Sequence, residues 1–289
     1  IGSGLVGSEM CIRDRVCILL HYFESSNGGA QINVEGYKTT KLKYNKKQTS
    51  VMGVAMSTVG LGFLYLAALG FLLEYLVFLP NIKGESGSAF STVLLGLSTV
   101  GIIVGAIMSL IWTFRINKAS MMFGIVTIFI YMSAYAIGFG SLFSYIQYTS
   151  GNDGIPLIMS AFGIVGFIFL GTFAVTKLIS LKGFITLSKI VMISSIIGII
   201  SMIALSIASF FVFSGTQKWI FLASTLISTF LSVLFLVYQL WCAQNMDKFY
   251  LDSETSSKMG LFIGFQILLN VTVLLFNMLR LILMFNNRN

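Results

Sequence analysis

Seven long apolar runs separated by short polar gaps dominate the chain from residue 52 onward. They cover about 52–78, 90–113, 121–146, 156–178, 187–213, 219–243 and 259–284. A helix needs roughly 20 apolar residues to cross the hydrocarbon core, so every run is long enough. The ten-residue alternation of a transmembrane barrel is absent. Backbone groups inside lipid must be satisfied by the structure's own hydrogen bonds, which leaves the helix. The pattern therefore predicts an all-α membrane protein with seven transmembrane helices over 51–289. Asn81–Gly87 and Gly151–Gly154 read as turns, the second just ahead of Pro156, a residue suited to the first position of a helix.

Composition agrees with this reading. Hydrophobic residues make up 56% of the 289, and charged residues only 10%, against roughly 25% in a soluble domain. The net charge of +8 is concentrated in the gaps, so it reads as membrane topology rather than as a nucleic-acid-binding face. With the N-terminus inside, the inner segments hold Lys38, Lys41, Lys43, Lys46, Lys47, Arg115, Lys118, Lys177, Lys182, Lys189, Lys248 and Lys258. The outer segments hold Lys83, Lys218 and Arg288. This bias of twelve to three predicts a cytoplasmic N-terminus and an outer C-terminus.

Ahead of the runs, residues 18–50 are polar and lysine-rich and read as a basic cytoplasmic tail, with a lipid or partner site as the alternative. The string Gly4–Arg15 resembles translated adapter sequence, and its apolar pieces are too short for a signal peptide. Residues 1–17 are therefore expected to contribute nothing to the fold. That expectation lowers the weight of Cys11, Cys17 and the neighbouring His21.

Small residues recur at helix-packing spacing: Gly101 and Gly105, Ala134 and Gly138, Gly163, Gly166 and Gly171, Ser194 and Gly198, and Ser224, Ser228 and Ser232. Such residues let helices approach closely in lipid, where no hydrophobic drive pairs them. Packing within the chain is the expectation; a homodimer face, or a polar path along the serines, is the alternative.

Candidate chemistry is sparse. The three cysteines and one histidine make neither a metal site nor a disulfide framework. Motifs of zinc proteases, serine hydrolases and P-loops are missing, and no run contains an aspartate. No enzyme activity, metal or cofactor is expected. Two charges stand near outer ends of runs, Glu74 in the first and Arg280 in the last. Charges at such depths pair or snorkel to the interface, so Glu74 and Arg280 form a candidate ion pair. The last two runs hold most of the remaining polarity: Tyr238, Gln239, Cys242, Gln244 and Asn245, then Gln266, Asn270, Thr272 and Asn277. They form an antiparallel hairpin. A turn centred on Ser256 would set Cys242 opposite Asn270. A helix capped at Asp252-Ser253 would move the turn earlier and lose that match. Cys242, Asn270, Gln239 and Gln266 are the candidate polar cluster.

Three stretches carry a family resemblance. Ala136-Ile137-Gly138-Phe139-Gly140-Ser141-Leu142 is similar to the Gly-Leu-Thr-Leu region in the third helix of the Bax inhibitor family. Gly171-Thr172-Phe173-Ala174-Val175-Thr176-Lys177 is similar to the Gly-x-x-x-x-Thr-Lys end of its fourth helix. Leu261 to Leu281, with Met278-Leu279-Arg280, is similar to its last helix ending Leu-Leu-Arg. The resemblance covers about 50–285 and implies a Bax-inhibitor-like bundle. In that family two aspartates join the last two helices and gate a calcium leak by pH. Cys242, in Leu240-Trp241-Cys242-Ala243-Gln244, stands at the first of these, and Asn270, ten residues before Arg280, at the second. Neutral Cys and Asn cannot titrate as a coupled acid pair. The resemblance therefore implies a calcium or cation leak with altered gating, with Cys242 and Asn270 close together on the cytoplasmic half. The alternative is a non-conducting regulator that binds another membrane protein, such as a membrane protease. A small-solute transporter would need Gly/Pro-broken helices and an inverted repeat. Ile, Asn and Lys usage fits an AT-rich mollicute genome, so the implied source is a divergent bacterial member in the plasma membrane.

Overall fold

The computed structural model describes residues 50–82, 88–114, 120–211, 217–246 and 253–286. The readings of residues 1–17 and of the basic tail, apart from Ser50, lie outside these, as do Cys11, Cys17 and His21. All described residues belong to the compact unit Lys47–Asn289. Its elements are α1 (Val51–Leu73), α2 (Ser88–Phe114), α3 (Met121–Ser150), α4 (Gly154–Leu178), α5 (Leu181–Phe211), α6 (Gln217–Asn245) and α7 (Ser253–Asn286). No strand occurs among the described residues.

Helix starts follow from local chemistry. Orphan N–H groups of a first turn need acceptors, and a serine just ahead supplies one. Ser50 Oγ accepts from the Gly53 N–H at 3.4 Å, Ser120 Oγ from Phe123 at 3.2 Å, and Ser180 Oγ from Gly183 at 3.3 Å. Between α3 and α4 the chain turns through a 3-10 segment, Gly151–Asp153. Gly151 has φ +56° there, a left-handed conformation that a Cβ disfavours. The next helix begins at Gly154, so Pro156 is its third residue rather than its first.

Pro80 does not end the first helix. The chain passes from α1 through a π turn, Glu74–Phe78, into a last α-helical turn, Leu79–Ile82. In the π turn the Leu79 N–H donates to the Glu74 carbonyl five residues back. Pro80 has no N–H for the carbonyl four residues before it, and its ring crowds that carbonyl. A widened turn just upstream accommodates both effects without exposing backbone to lipid.

Among the described residues, six helices are long and apolar enough to cross a membrane. In α5 the apolar stretch within the described residues is the shorter Gly183–Gly198. Large apolar side chains face outward all round, among them Leu61, Ile103, Phe167, Leu178 and Ile200. A soluble fold does not leave so much contiguous apolar surface open. This is an all-α, multipass membrane bundle.

The helices are not equivalent. In α7, 44% of the span is buried, against 11% in α2. The last helix is thus the central post, with α1 and α6 packed along it and α3 and α4 behind. Glycines set the closest approaches. A Cβ on Gly264 would meet the Ala55 carbonyl oxygen at 2.7 Å and the Ala55 Cα at 2.9 Å; one on Gly260 would meet the Val51 carbonyl oxygen at 2.8 Å. These two residues, four apart, let α7 lie directly on the α1 backbone. Gly101 and Gly105 face Ala134 and Tyr131 across the α2–α3 contact, and Gly198 faces Leu231 across α5–α6. Gly163, Gly166 and Gly171 do not pack inside the bundle, contrary to the spacing argument. A Cβ on any of the three would meet nothing within 4 Å.

Candidate functional site

Polar side chains gather where α6 runs beside α7. Asn270 Nδ2 donates to Gln239 Oε1 at 2.8 Å, and also to the Gln266 carbonyl of its own helix at 3.1 Å. Further along the same seam, Asn277 Nδ2 donates to Ser228 Oγ at 3.0 Å. Gln239 and Asn277 are buried, and so is Ser232, which shares a face of α6 with Ser228 and Gln239. On the other side of α7 the Thr272 hydroxyl bonds back to the Leu268 carbonyl at 2.8 Å. In hydrocarbon a primary amide without a partner is costly, so amide–amide and amide–hydroxyl pairs fix the register of the two helices.

The seam brings together Gln239, Gln266 and Asn270, with Gln266 contributing its backbone carbonyl. Cys242 is buried and free, one helical turn beyond Gln239, and it makes no hydrogen bond to Asn270. The hydrogen-bond partner of Asn270 across the seam is thus Gln239, not the Cys242 expected opposite it. Helix α7 begins at Ser253, and the cross-helix pairs centre on residues 254–255 and 252–253. A turn earlier than Ser256 moves the partner of Asn270 from Cys242 to Gln239, three residues back.

Past Gln239, the end of α6 is tied to α4 and to the link that follows it. Gln244 Nε2 donates to Thr176 Oγ1 at 2.8 Å, and Trp241 Nε1 donates to the Ile179 carbonyl at 3.1 Å. The Trp241 ring stacks on Phe184 at 3.6 Å between centroids. Sequence reasoning singled out Gln244 and Thr176 but not their contact. Nothing in helical spacing relates two helices that are not neighbours in the chain.

The proposed Glu74–Arg280 ion pair does not form. Among the described residues the one salt bridge joins Lys258 to Glu254 at 2.8 Å. Arg280 lies over the rings of Phe276, 5.0 Å from the centroid, and Phe221, 5.4 Å away. That placement satisfies a cation without an anion. Glu74 does not snorkel either: it is 4% exposed, at the contact of the π turn with α3. Its backbone carbonyl receives the Ser144 hydroxyl at 3.4 Å, while its carboxyl Oε1 is buried without any hydrogen bond.

No group of three or more His, Cys, Asp or Glu that could hold a metal ion occurs among the described residues. The arrangement offers neutral hydrogen-bonding groups along one seam and one isolated acid at another contact. No protein-family model matches the chain, and no curated protein matches it.

Proposed function

We propose that this chain is a Bax-inhibitor-like membrane protein that leaks calcium or other cations along the α6–α7 seam, with a gate of neutral amides. The observation that carries the reading is the Gln239–Asn270 hydrogen bond, 2.8 Å across the seam. It lies on the most buried helix and is followed by Asn277–Ser228 on the same line. Buried polar groups facing a bundle interior are the usual lining of an ion path. Amide oxygens and hydroxyls are hard ligands of the kind calcium prefers. By the motif resemblance, the family's acid pair would fall close to this point, and here amides occupy the seam. With the N-terminus inside, as the basic bias supports, the Gln239–Asn270 pair falls on the cytoplasmic half and Arg280 towards the outer end.

The test is reconstitution of the full chain into liposomes holding a calcium indicator. The reading expects flux above empty liposomes and a changed rate in Asn270→Leu. Topology is tested by a C-terminal reporter active only outside the cytoplasm, which should be active.

A second reading has its own support. The open face of α4 carries Gly163, Gly166 and Gly171 beside the outward Phe167 and Leu170. Outward glycines permit close approach by a helix of another membrane protein. A non-conducting regulator of a membrane protease would use such a face. Absence of flux together with partner capture that Gly166→Leu abolishes would favour it.

A further inference from the structure

Among the described residues, Glu74 Oε1 is the buried side-chain oxygen with no hydrogen-bond partner. Buried polar atoms without partners are rare and call for an explanation. Glu74 sits in a π turn, a widening of the helix frequent at functional sites. The turn packs on α3. Contact there is close: a Cβ on Gly140 would meet the Gly70 carbonyl oxygen at 3.0 Å and the Glu74 backbone nitrogen at 3.3 Å.

Among the described residues, no cation faces the acid from the elements around it. Helix α3 carries no charged residue, and its titratable groups are Tyr131, Tyr135, Tyr145 and Tyr148. Tyr145 and Tyr148 point outward, and Tyr131 stacks on Tyr135. On α1 and the π turn the titratable neighbours are Tyr65, which bonds Ser133 at 2.8 Å, and Tyr75, which is exposed. Leu79–Ile82 has no titratable side chain. Arg280 on α7 is occupied over Phe221 and Phe276. Lys83 and Glu85 of the following link lie outside the described residues. Among the described residues, an ionised carboxylate at Glu74 would have no cation and no hydrogen-bond donor at Oε1. A neutral carboxylic acid needs neither as strongly.

We propose that Glu74 is a proton-binding site: an intramembrane carboxyl that carries its proton while α1 and α3 are packed and loses it as alkaline pH opens that contact. The ligand is the proton itself. The site is independent of the α6–α7 seam and of whether the bundle conducts ions.

Hydrophobic carbodiimides test this directly. They add to a protonated carboxyl in an apolar setting, the acid proton passing to a carbodiimide nitrogen, and the adduct rearranges to a stable N-acylurea with nothing lost. The full chain, purified in lipid nanodiscs, is treated with dicyclohexylcarbodiimide and the adduct located by peptide mass spectrometry. Labelling should fall on Glu74 and drop at least about tenfold between about pH 6 and about pH 9. The same titration followed by infrared spectroscopy should show a protonated-carboxyl C=O band that disappears over that range. Glu74→Gln should remove both signals, and Glu74→Asp should keep the band. Absence of a protonated-carboxyl band at pH 6 in the native chain, or labelling of Glu74 that does not change with pH, would overturn the proposal.

Discussion

The α6–α7 seam and the α1–α3 contact both bury polar side chains, yet they treat them in opposite ways. Along the seam Gln239 meets Asn270 and Ser228 meets Asn277, each across two helices. At the α1–α3 contact the Glu74 carboxyl is buried with Oε1 unpartnered. The seam's polar groups hold two helices in register, so removing one partner should destabilise. The acid holds nothing, so removing it should cost little or should stabilise. A residue kept at such a position without structural return is a candidate for function, whereas paired amides serve structure and function together.

Four substitutions would break or sharpen that contrast. The largest effect is expected where helices touch through backbone. Gly264→Val would drive a side chain into the Ala55 carbonyl and Cα. The cost should be about 3 kcal/mol or more, read as loss of folded protein by size-exclusion chromatography. Next, Asn270→Leu leaves the Gln239 oxygen without its donor. The thermal midpoint in detergent should fall by an amount equivalent to about 1–2 kcal/mol. Glu74→Leu should move the same midpoint the other way or leave it unchanged, a gain of about 0–1 kcal/mol, because no partner is orphaned. A marked loss there would mean that the carboxyl has a structural partner. Smallest of all, Gly163→Ala on the open face of α4 should change stability by less than about 0.5 kcal/mol.

Much of the architecture was legible because lipid imposes one rule on every span. All seven apolar runs coincide with long helices, and five begin within two residues of where the hydropathy places them, whereas α5 at Leu181 and α7 at Ser253 each start six residues earlier. Spacing of small residues was informative only in part. Gly101 and Gly105 pack as read, but Gly163, Gly166 and Gly171 face outward, since a period of three or four does not say which neighbour a face meets. Gly260 and Gly264 carry the same signature at the most crowded contact of the fold, and that pair was missed in the polar end of the last run.

The candidate site was legible by composition and misplaced by register. Polarity in the last two runs pointed to Gln239, Gln266 and Asn270. The partner of Asn270 depended on where the hairpin turned, and a start at Ser253 moved it by one helical turn. Glu74 and Arg280 were paired on charge and approximate depth alone. Rotation about each helix axis decides such a pair, and here it leaves Arg280 on aromatic rings and Glu74 against α3. The π turn upstream of Pro80 had a visible cause in the sequence, because a proline so near the end of a span must be accommodated.

The most direct test of the account asks whether the Gln239–Asn270 pair is the gate. Calcium flux is measured in liposomes between about pH 6 and about pH 8, in a Glu74→Gln background so that the buried acid adds no pH dependence of its own. Two proteins are compared, that background and the same chain carrying Gln239→Asp with Asn270→Asp. Two carboxyls at hydrogen-bond distance cannot both ionise cheaply inside the bundle, so they share a proton near neutrality. The account predicts flux that is nearly flat with pH in the background and steeply pH-dependent in the double aspartate variant. Steep pH gating in the background, or no flux from either protein, would contradict it.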